Sequence, residues 1–492
     1  MKRLISVLLI INYLFALTAC VSNDAIEYEP PVNIISPVIE TPFISDETHD
    51  TAEQEPEKHT ETAFLIESSI PLEDAAEIFA KVQAIWDEDD GALWGVRLDA
   101  PLMIADSITR SAVANKPDPQ GNFRKQGDVY VGMLPPYIHI GATAIAFGGL
   151  TWGVMPWEII TSEFNDEMYI LEVLVHEAFH AVQDRVVSSP RWYDQRVPHM
   201  SNTDARISVM LELTSLMKAI RESGNARLSA IHDALSIRNY RRQKFPQAAD
   251  DENGVEMHEG LAVFTDLKLL GRSLSESLDK IENIVKNAET TSTGLTSFGY
   301  MSGALYGLLL EETGADWKNG LTINSDLGGL LQQHLKITEL TPFEKLDLET
   351  YGYTEIARTQ TAWAENFALI TEGAKEAIQR QPTLDILGEY FIDWETAEIE
   401  NVFIPDLDRS MPDLLVLHGN FTVFGANWQV DFYGGYMRFY YSPDGIGLGS
   451  AVSIAINSDG NKAIGHKWEL TITDDNYIIV SLPDGLIEIV ER

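Results

Sequence analysis

Residues 171–184 read LEVLVHEAFHAVQD. Ile170, Leu174, Ala178 and Val182 recur on one stripe with Val175 and Phe179 beside it, the period of an amphipathic helix over about 166–186. His176 and His180 stand four apart and so project from one face, where both rings can chelate a single ion. Glu177 lies next to that face, within reach of the proton of a water held there. A plain core helix with two satisfied histidines has the same period. What separates the two readings is a third ligand elsewhere in the chain.

Cysteine usage narrows what that ligand can be. The only cysteine is Cys20. It follows a basic start, Met1-Lys2-Arg3, an apolar run over 4–17 and the small residues Thr18-Ala19. That order predicts a signal peptide over 1–19 with a lipoprotein cleavage box, since the run is too short to span a bilayer comfortably. Lipid on Cys20 and on the new amino terminus supplies the two anchors that stable membrane attachment needs. Val21-Ser22 follows, without the aspartate that marks inner-membrane retention. The expected location is the cell envelope, lipid-anchored and extracytoplasmic: the outer membrane of a Gram-negative cell or the outer face of a Gram-positive membrane. No thiolate or disulfide remains for the folded part, so a metal falls to His, Asp or Glu.

Residues 20–63 mix Pro, Glu and Thr without a period of 2 or 3.6, which predicts a disordered acidic tether. The net charge of −40 argues against a nucleic-acid partner and against electrostatic docking on anionic lipid, and suits solubility outside the cell. Helical spacing begins at about 70–86, a β-leaning region follows to about 157, and the middle is helical at about 166–186, 203–221, 226–242, 255–270, 274–288 and 300–312. A long helix follows through IARTQTAWAENFALITEGAKEAIQ. After Pro382 strand-like runs alternate with SPDG, NSDG, TDDN and LPDG at about ten-residue spacing. The expected fold is α+β: a mainly helical domain over 64–382 with an N-terminal β-containing lobe, then a small all-β domain over 383–492, sandwich or barrel.

Two glutamates are candidates for the third ligand. Glu212 lies in SVMLELTSLMKAI, and Glu259 lies in EMHEGLAVFTD. Spacing does not choose between them, because a longer excursion between ligands adds little loop entropy. Local chemistry favours Glu259. Gly260 and Ala262 let a second helix approach closely, and Asp266 is available to brace a ligand. Glu212 is flanked by Leu211 and Leu213 and could instead pair with Arg206 or another base.

The segment Glu259-Gly260-Leu261-Ala262, then Phe264 and Asp266, resembles the downstream helix of gluzincin metallopeptidases, the zinc aminopeptidase-N family in particular, whose pattern is N-E-G-F-A-x-Y-x-E. The resemblance implies Zn²⁺ held by His176, His180 and Glu259, with Asp266 orienting a zinc histidine. His258 stands where the family has asparagine, and Phe264 where it has tyrosine. The run FGYMSGALYG is similar to the family's Y-x-K-G-A segment, which implies that Tyr300 steadies a tetrahedral oxyanion. Here one extra residue separates tyrosine from glycine, and lysine is missing. A core tyrosine on an apolar helix reads the same way. The region from 152 to about 317 also resembles a set of uncharacterised bacterial H-E-x-x-H proteins that share L-E-L (211–213), R-R before F-P (241–246) and E-G-L-A. The resemblance brings no substrate with it. The upstream stretch TAIAFGGLTWGV (143–154) lacks the acid with which aminopeptidases of this family hold a free amine, so aminopeptidase specificity is unsupported, whereas edge pairing with a peptide backbone is compatible.

Three further features carry expectations. Arg238, Arg241, Arg242 and Lys244 could receive a substrate carboxylate, or form a solvated face with local ion pairs. His199 is a rim group or a plain loop histidine. Asp184 braces the site or simply ends its helix. The expected function is therefore a lipid-anchored zinc metallopeptidase acting on peptide or protein substrate, with Glu177 as base. Its rival is a non-catalytic lipoprotein binding module whose β-domain grips a protein or glycan.

Overall fold

The computed structural model describes residues 67–379 apart from 136–137, 139, 163–165, 189–196 and 289–293, together with the strands and some turns of 384–492. The expected signal peptide, Cys20 and tether lie outside the described residues. Helix α1 (Leu72–Asp89) carries Glu73 and Asp74 in its first turn, where the exposed N–H groups favour acids, and buries Ala75, Phe79, Val82 and Trp86 along one stripe. Six short strands follow: β1 (Leu102–Ala105), β2 (Ser111–Ala114), β3 (Arg124–Gln126), β4 (Val129–Met133), β5 (Thr143–Phe147) and β6 (Leu150–Pro156). They form one sheet in the order β3-β4-β2-β1-β6-β5, with β1 and β6 parallel and the other pairs antiparallel. Alternation along the strands sends Leu102, Ile104, Val113 and Met155 into the main helical core. The other face sends Met103, Ala112, Ala114 and Val154 into a smaller core with Phe123. Gly148 and Gly149, both at positive φ, make the two-residue turn that leaves β5 as the sheet's edge strand.

The middle of the chain is helical: α2 (Trp157–Thr161), α3 (Glu167–Val182), α4 (Thr203–Arg221), α5 (Gly224–Lys244), α6 (Ala248–Val255), α7 (Leu261–Leu269), α8 (Leu274–Ala288), α9 (Phe298–Glu312), α10 (Leu327–His334) and α11 (Tyr353–Gln379). The helix expected over 255–270 starts seven residues earlier, at Ala248, and passes through a π-helical turn, Glu256–Gly260, between α6 and α7. An amphipathic count cannot find such a turn, because one wide turn leaves the flanking periods intact. Asp166 caps α3 by accepting from the Tyr169 N–H at 2.8 Å. The helix then buries Leu174, Val175, Ala178, Phe179 and Val182 in the main core, each large apolar side chain contributing roughly 1.5–3 kcal/mol.

After α11 the described elements are strands alone: β7 (Leu384–Ile386), β8 (Phe391–Ile392), β9 (Glu398–Val402), β10 (Leu414–Phe424), β11 (Trp428–Tyr441), β12 (Gly447–Ala451), β13 (Ala455–Ser458), β14 (Lys462–Gly465), β15 (Trp468–Ile472), β16 (Tyr477–Ser481) and β17 (Ile487–Glu491). Every pairing among them is antiparallel. β11 organises the sheet: β10 lines one of its edges, and the other is shared by β15 along its first part and β12 along its last. The chain as described is α+β. No helix among the described residues is long and apolar enough to cross a membrane.

Candidate metal centre

Helix α3 crosses the sheet at β6. A Cβ on Gly153 would sit 2.7 Å from the carbonyl carbon of Glu177 and 2.9 Å from the Ala178 nitrogen, so glycine is what allows the strand to press on the helix backbone there. A second close approach sets the distance to the next helix. A Cβ on Gly260 would meet the Gly303 Cα at 2.6 Å, and one on Gly303 would meet the Glu256 carbonyl oxygen at 2.8 Å. The approach expected of Gly260 is thus to α9, and Gly303 forms its other half. The π turn itself adds a residue where these helices cross and carries Glu259 toward α3.

Three donor atoms converge. His180 Nε2 lies 3.1 Å from His176 Nε2 and 3.1 Å from Glu259 Oε2, and His176 Nε2 lies 3.5 Å from that same oxygen. Among the described residues, His176, His180 and Glu259 form a group that could hold a metal ion, their ligand atoms all within 4.8 Å of one another. These separations suit zinc, because ligands about 2.0–2.1 Å from a tetrahedral centre stand roughly 3.3–3.4 Å apart. The donor set, two imidazole nitrogens and one carboxylate oxygen, is also of the kind zinc takes.

The surroundings brace each donor. His180 Nδ1 pairs with Gln183 Oε1 at 3.2 Å, and the Gln183 amide donates to the carbonyls of Met257 and His258 at 2.8 and 3.0 Å. One side chain thus ties the second histidine to the π turn. Asp184, expected either to brace the site or to end its helix, is exposed just past α3 and does the latter. Gln183 follows His180 by three residues, a spacing that puts it over the same face and was the available signal. Asp266, fully buried, stands 3.6 Å from His176 Nδ1, a charge contact rather than a normal hydrogen bond, and Lys280 holds its other oxygen at 3.4 Å. His258 stacks on His180 with ring centres 4.5 Å apart, and its Nδ1 reaches Glu259 Oε1 at 3.0 Å. Tyr300, on α9, lies parallel to the His176 ring at 6.1 Å and is buried, as a core tyrosine would also be.

Charge in the cluster follows from burial and neighbours. Burial opposes protonation of His176, but the carboxylates of Asp266, Glu259 and Glu177 outweigh it and push the ring up to about 10. Burial alone would raise Glu259. The neighbouring histidines His180 and His258 reverse that and hold it well below the usual carboxylate range. Glu177, 2% exposed, is raised, because burial and the charge of Glu259 exceed the help it gets from His176 and His180.

Glu212 is elsewhere. Its carboxylate pairs with Arg241 at 2.6 Å and Arg238 at 3.2 Å, and accepts from the Tyr306 hydroxyl at 2.6 Å. Arg238 also grips Glu256 with both nitrogens, at 2.7 and 2.6 Å. Arg241 and Arg242 share Glu252, which His199 also meets at 3.0 Å. Arg238 and Arg241 are therefore neither a solvated face nor a free landing place for a carboxylate. Both are buried and paired with carboxylates inside the protein. Lys244 alone matches the surface expectation, paired with exposed Asp204. No family model matches the chain, and neither a curated protein nor a solved structure is significantly similar to it.

Proposed function

We propose that the chain is a zinc-dependent peptide hydrolase. The observation that carries this reading is the convergence of His176 Nε2, His180 Nε2 and Glu259 Oε2 from two helices, with the raised carboxyl of Glu177 one residue from His176. These three residues would hold the ion. Bound there, zinc would make a water acidic near neutral pH and withdraw charge from a carbonyl oxygen.

The chain's own groups then divide the work. Glu177 accepts the proton of the attacking water and returns it to the leaving amine, a task for which a carboxyl raised above its ordinary value is suited. Tyr300, packed along His176, donates its hydroxyl to the developing oxyanion. Asp266 and Gln183 keep the two imidazoles turned with Nε2 inward. Strand β5, the edge of its sheet and adjacent to the strand on which α3 rests, aligns an extended peptide by main-chain hydrogen bonds. Lipid on Cys20 keeps this activity at the envelope. The binding-module rival gives no role to Glu177, a buried carboxyl that costs stability where it stands.

The test is direct. Full-length chain loaded with Zn²⁺ should cleave members of a mixed peptide library, stop on chelation and resume on adding Zn²⁺. Stoichiometric zinc with no cleavage of any peptide would favour the binding module.

A further inference from the structure

Glu259 presents its two oxygens to different partners. Oε2 faces both histidine Nε2 atoms, while Oε1 meets His258 Nδ1 at 3.0 Å. A carboxylate only accepts, so the His258 nitrogen in that contact carries the proton. His258 is itself held at two more points. Its ring lies on His180 at 4.5 Å with 21° between planes, and its carbonyl accepts from Gln183 Nε2 at 3.0 Å. It is also the most exposed of the clustered side chains, 20% against 1–5% for His176, His180 and Glu259, so it stands nearest to solvent.

We propose that His258 is a positioning residue: its Nδ1–H occupies Oε1 of Glu259 and so keeps that carboxylate a one-oxygen ligand. The inference rests on the zinc reading above. Its chemical sense is in the coordination number. Catalytic zinc keeps three protein ligands and one open position. A glutamate free to turn both oxygens inward would crowd that position, and a donor fixed on one oxygen prevents the turn. Nothing here asks His258 to touch substrate or to change its charge.

Three variants separate the donor from the ring. His258→Asn keeps an N–H close to where Nδ1 stands. His258→Phe keeps the stack on His180 without a donor, and His258→Ala removes both. Metal-free full-length protein is titrated with Zn²⁺ against a chromogenic chelator, and the Co²⁺ forms are compared by visible absorption, which weakens as coordination number rises. His258→Phe and His258→Ala should bind Zn²⁺ about 10–100-fold more weakly, and show weaker cobalt bands, with His258→Asn within about threefold of the parent. Unfolding midpoints of the metal-free proteins should stay close together, and if the alanine variant does not fold, the Asn and Phe pair decides alone. Parent-like zinc affinity and cobalt bands in His258→Phe would overturn the positioning role while leaving the zinc site standing. A parent chain that takes up no zinc would remove the metal reading and this inference with it.

Discussion

Two buried clusters of acids and bases share the π turn, and they are built on opposite plans. On one side Glu256 joins Glu212, Glu252, Arg238, Arg241 and Arg242, where each carboxylate is met by guanidinium groups at 2.5–3.2 Å. On the other, Glu259 joins His176 and His180, whose Nε2 atoms and the Glu259 Oε2 stand 3.1–3.5 Å from one another. No arginine pairs with Glu259 among the described ion pairs. The first cluster neutralises itself. The second sets two imidazoles against a carboxylate, the donor set proposed above to hold an ion. That contrast separates a frame from a site more sharply than burial or residue type does, since both clusters are buried and both are rich in glutamate.

The largest expected effect breaks the site without disturbing the frame. Glu177→Gln should lower peptide-bond cleavage roughly 10²–10⁴-fold while leaving zinc affinity near the parent's, read by steady-state kinetics and metal titration on the same preparation. Unchanged turnover in a zinc-loaded variant would mean that Glu177 is a bystander.

Next in size is damage to the frame. Arg241 is fully buried, so Arg241→Ala leaves Glu212 and Glu252 short of a partner and should cost about 3–5 kcal/mol in urea unfolding. A loss below 1 kcal/mol would show that the network is not the tightly paired structure described. The frame is also acid-sensitive in a definite direction. Burial works to raise Glu252, but Arg241, His199 and Arg242 overcome it and hold the carboxyl well below its ordinary 4.5. Its contribution is therefore complete above pH 4.5 and is lost as pH falls toward the lower folded value. Glu252→Gln, itself less stable, should show a flatter decline of urea midpoint below pH 4.5 than the parent does, and equal slopes would contradict the assignment.

A smaller effect tests how the two clusters are joined. Gln183→Ala unties His180 from the π turn and should weaken zinc about 10–100-fold. Its neighbour makes the control. Asp184→Ala, at an exposed position, should change neither zinc affinity nor stability beyond about 0.5 kcal/mol.

The legible parts of the sequence were those that repeat or match a spacing. Helical periods gave the helices around 167–182, 203–221 and 298–312 to within a few residues, and the His-x-x-x-His spacing put two donors on one face. Gly260 announced a close helix approach. Other features carried no periodic signal. The π turn is a one-residue insertion inside a continuous helix. Gln183 shares the face of His180 but has no charge to mark it. The arginines at 238–242 read as a surface patch, because helical composition says nothing about which carboxylates three other helices bring to them. Residue type suggested charge in each case. Only packing shows whether that charge is already answered.

Zinc affinity in two variants decides whether Glu259 or Glu212 completes the proposed zinc site. Glu259→Ala should bind zinc more than about 100-fold more weakly than the parent, beyond the loss typical of a bracing residue. Glu212→Gln, which keeps its shape within the arginine frame, should bind it as the parent does. Parent-like affinity in Glu259→Ala together with metal-free Glu212→Gln would overturn that assignment and hand the site to Glu212.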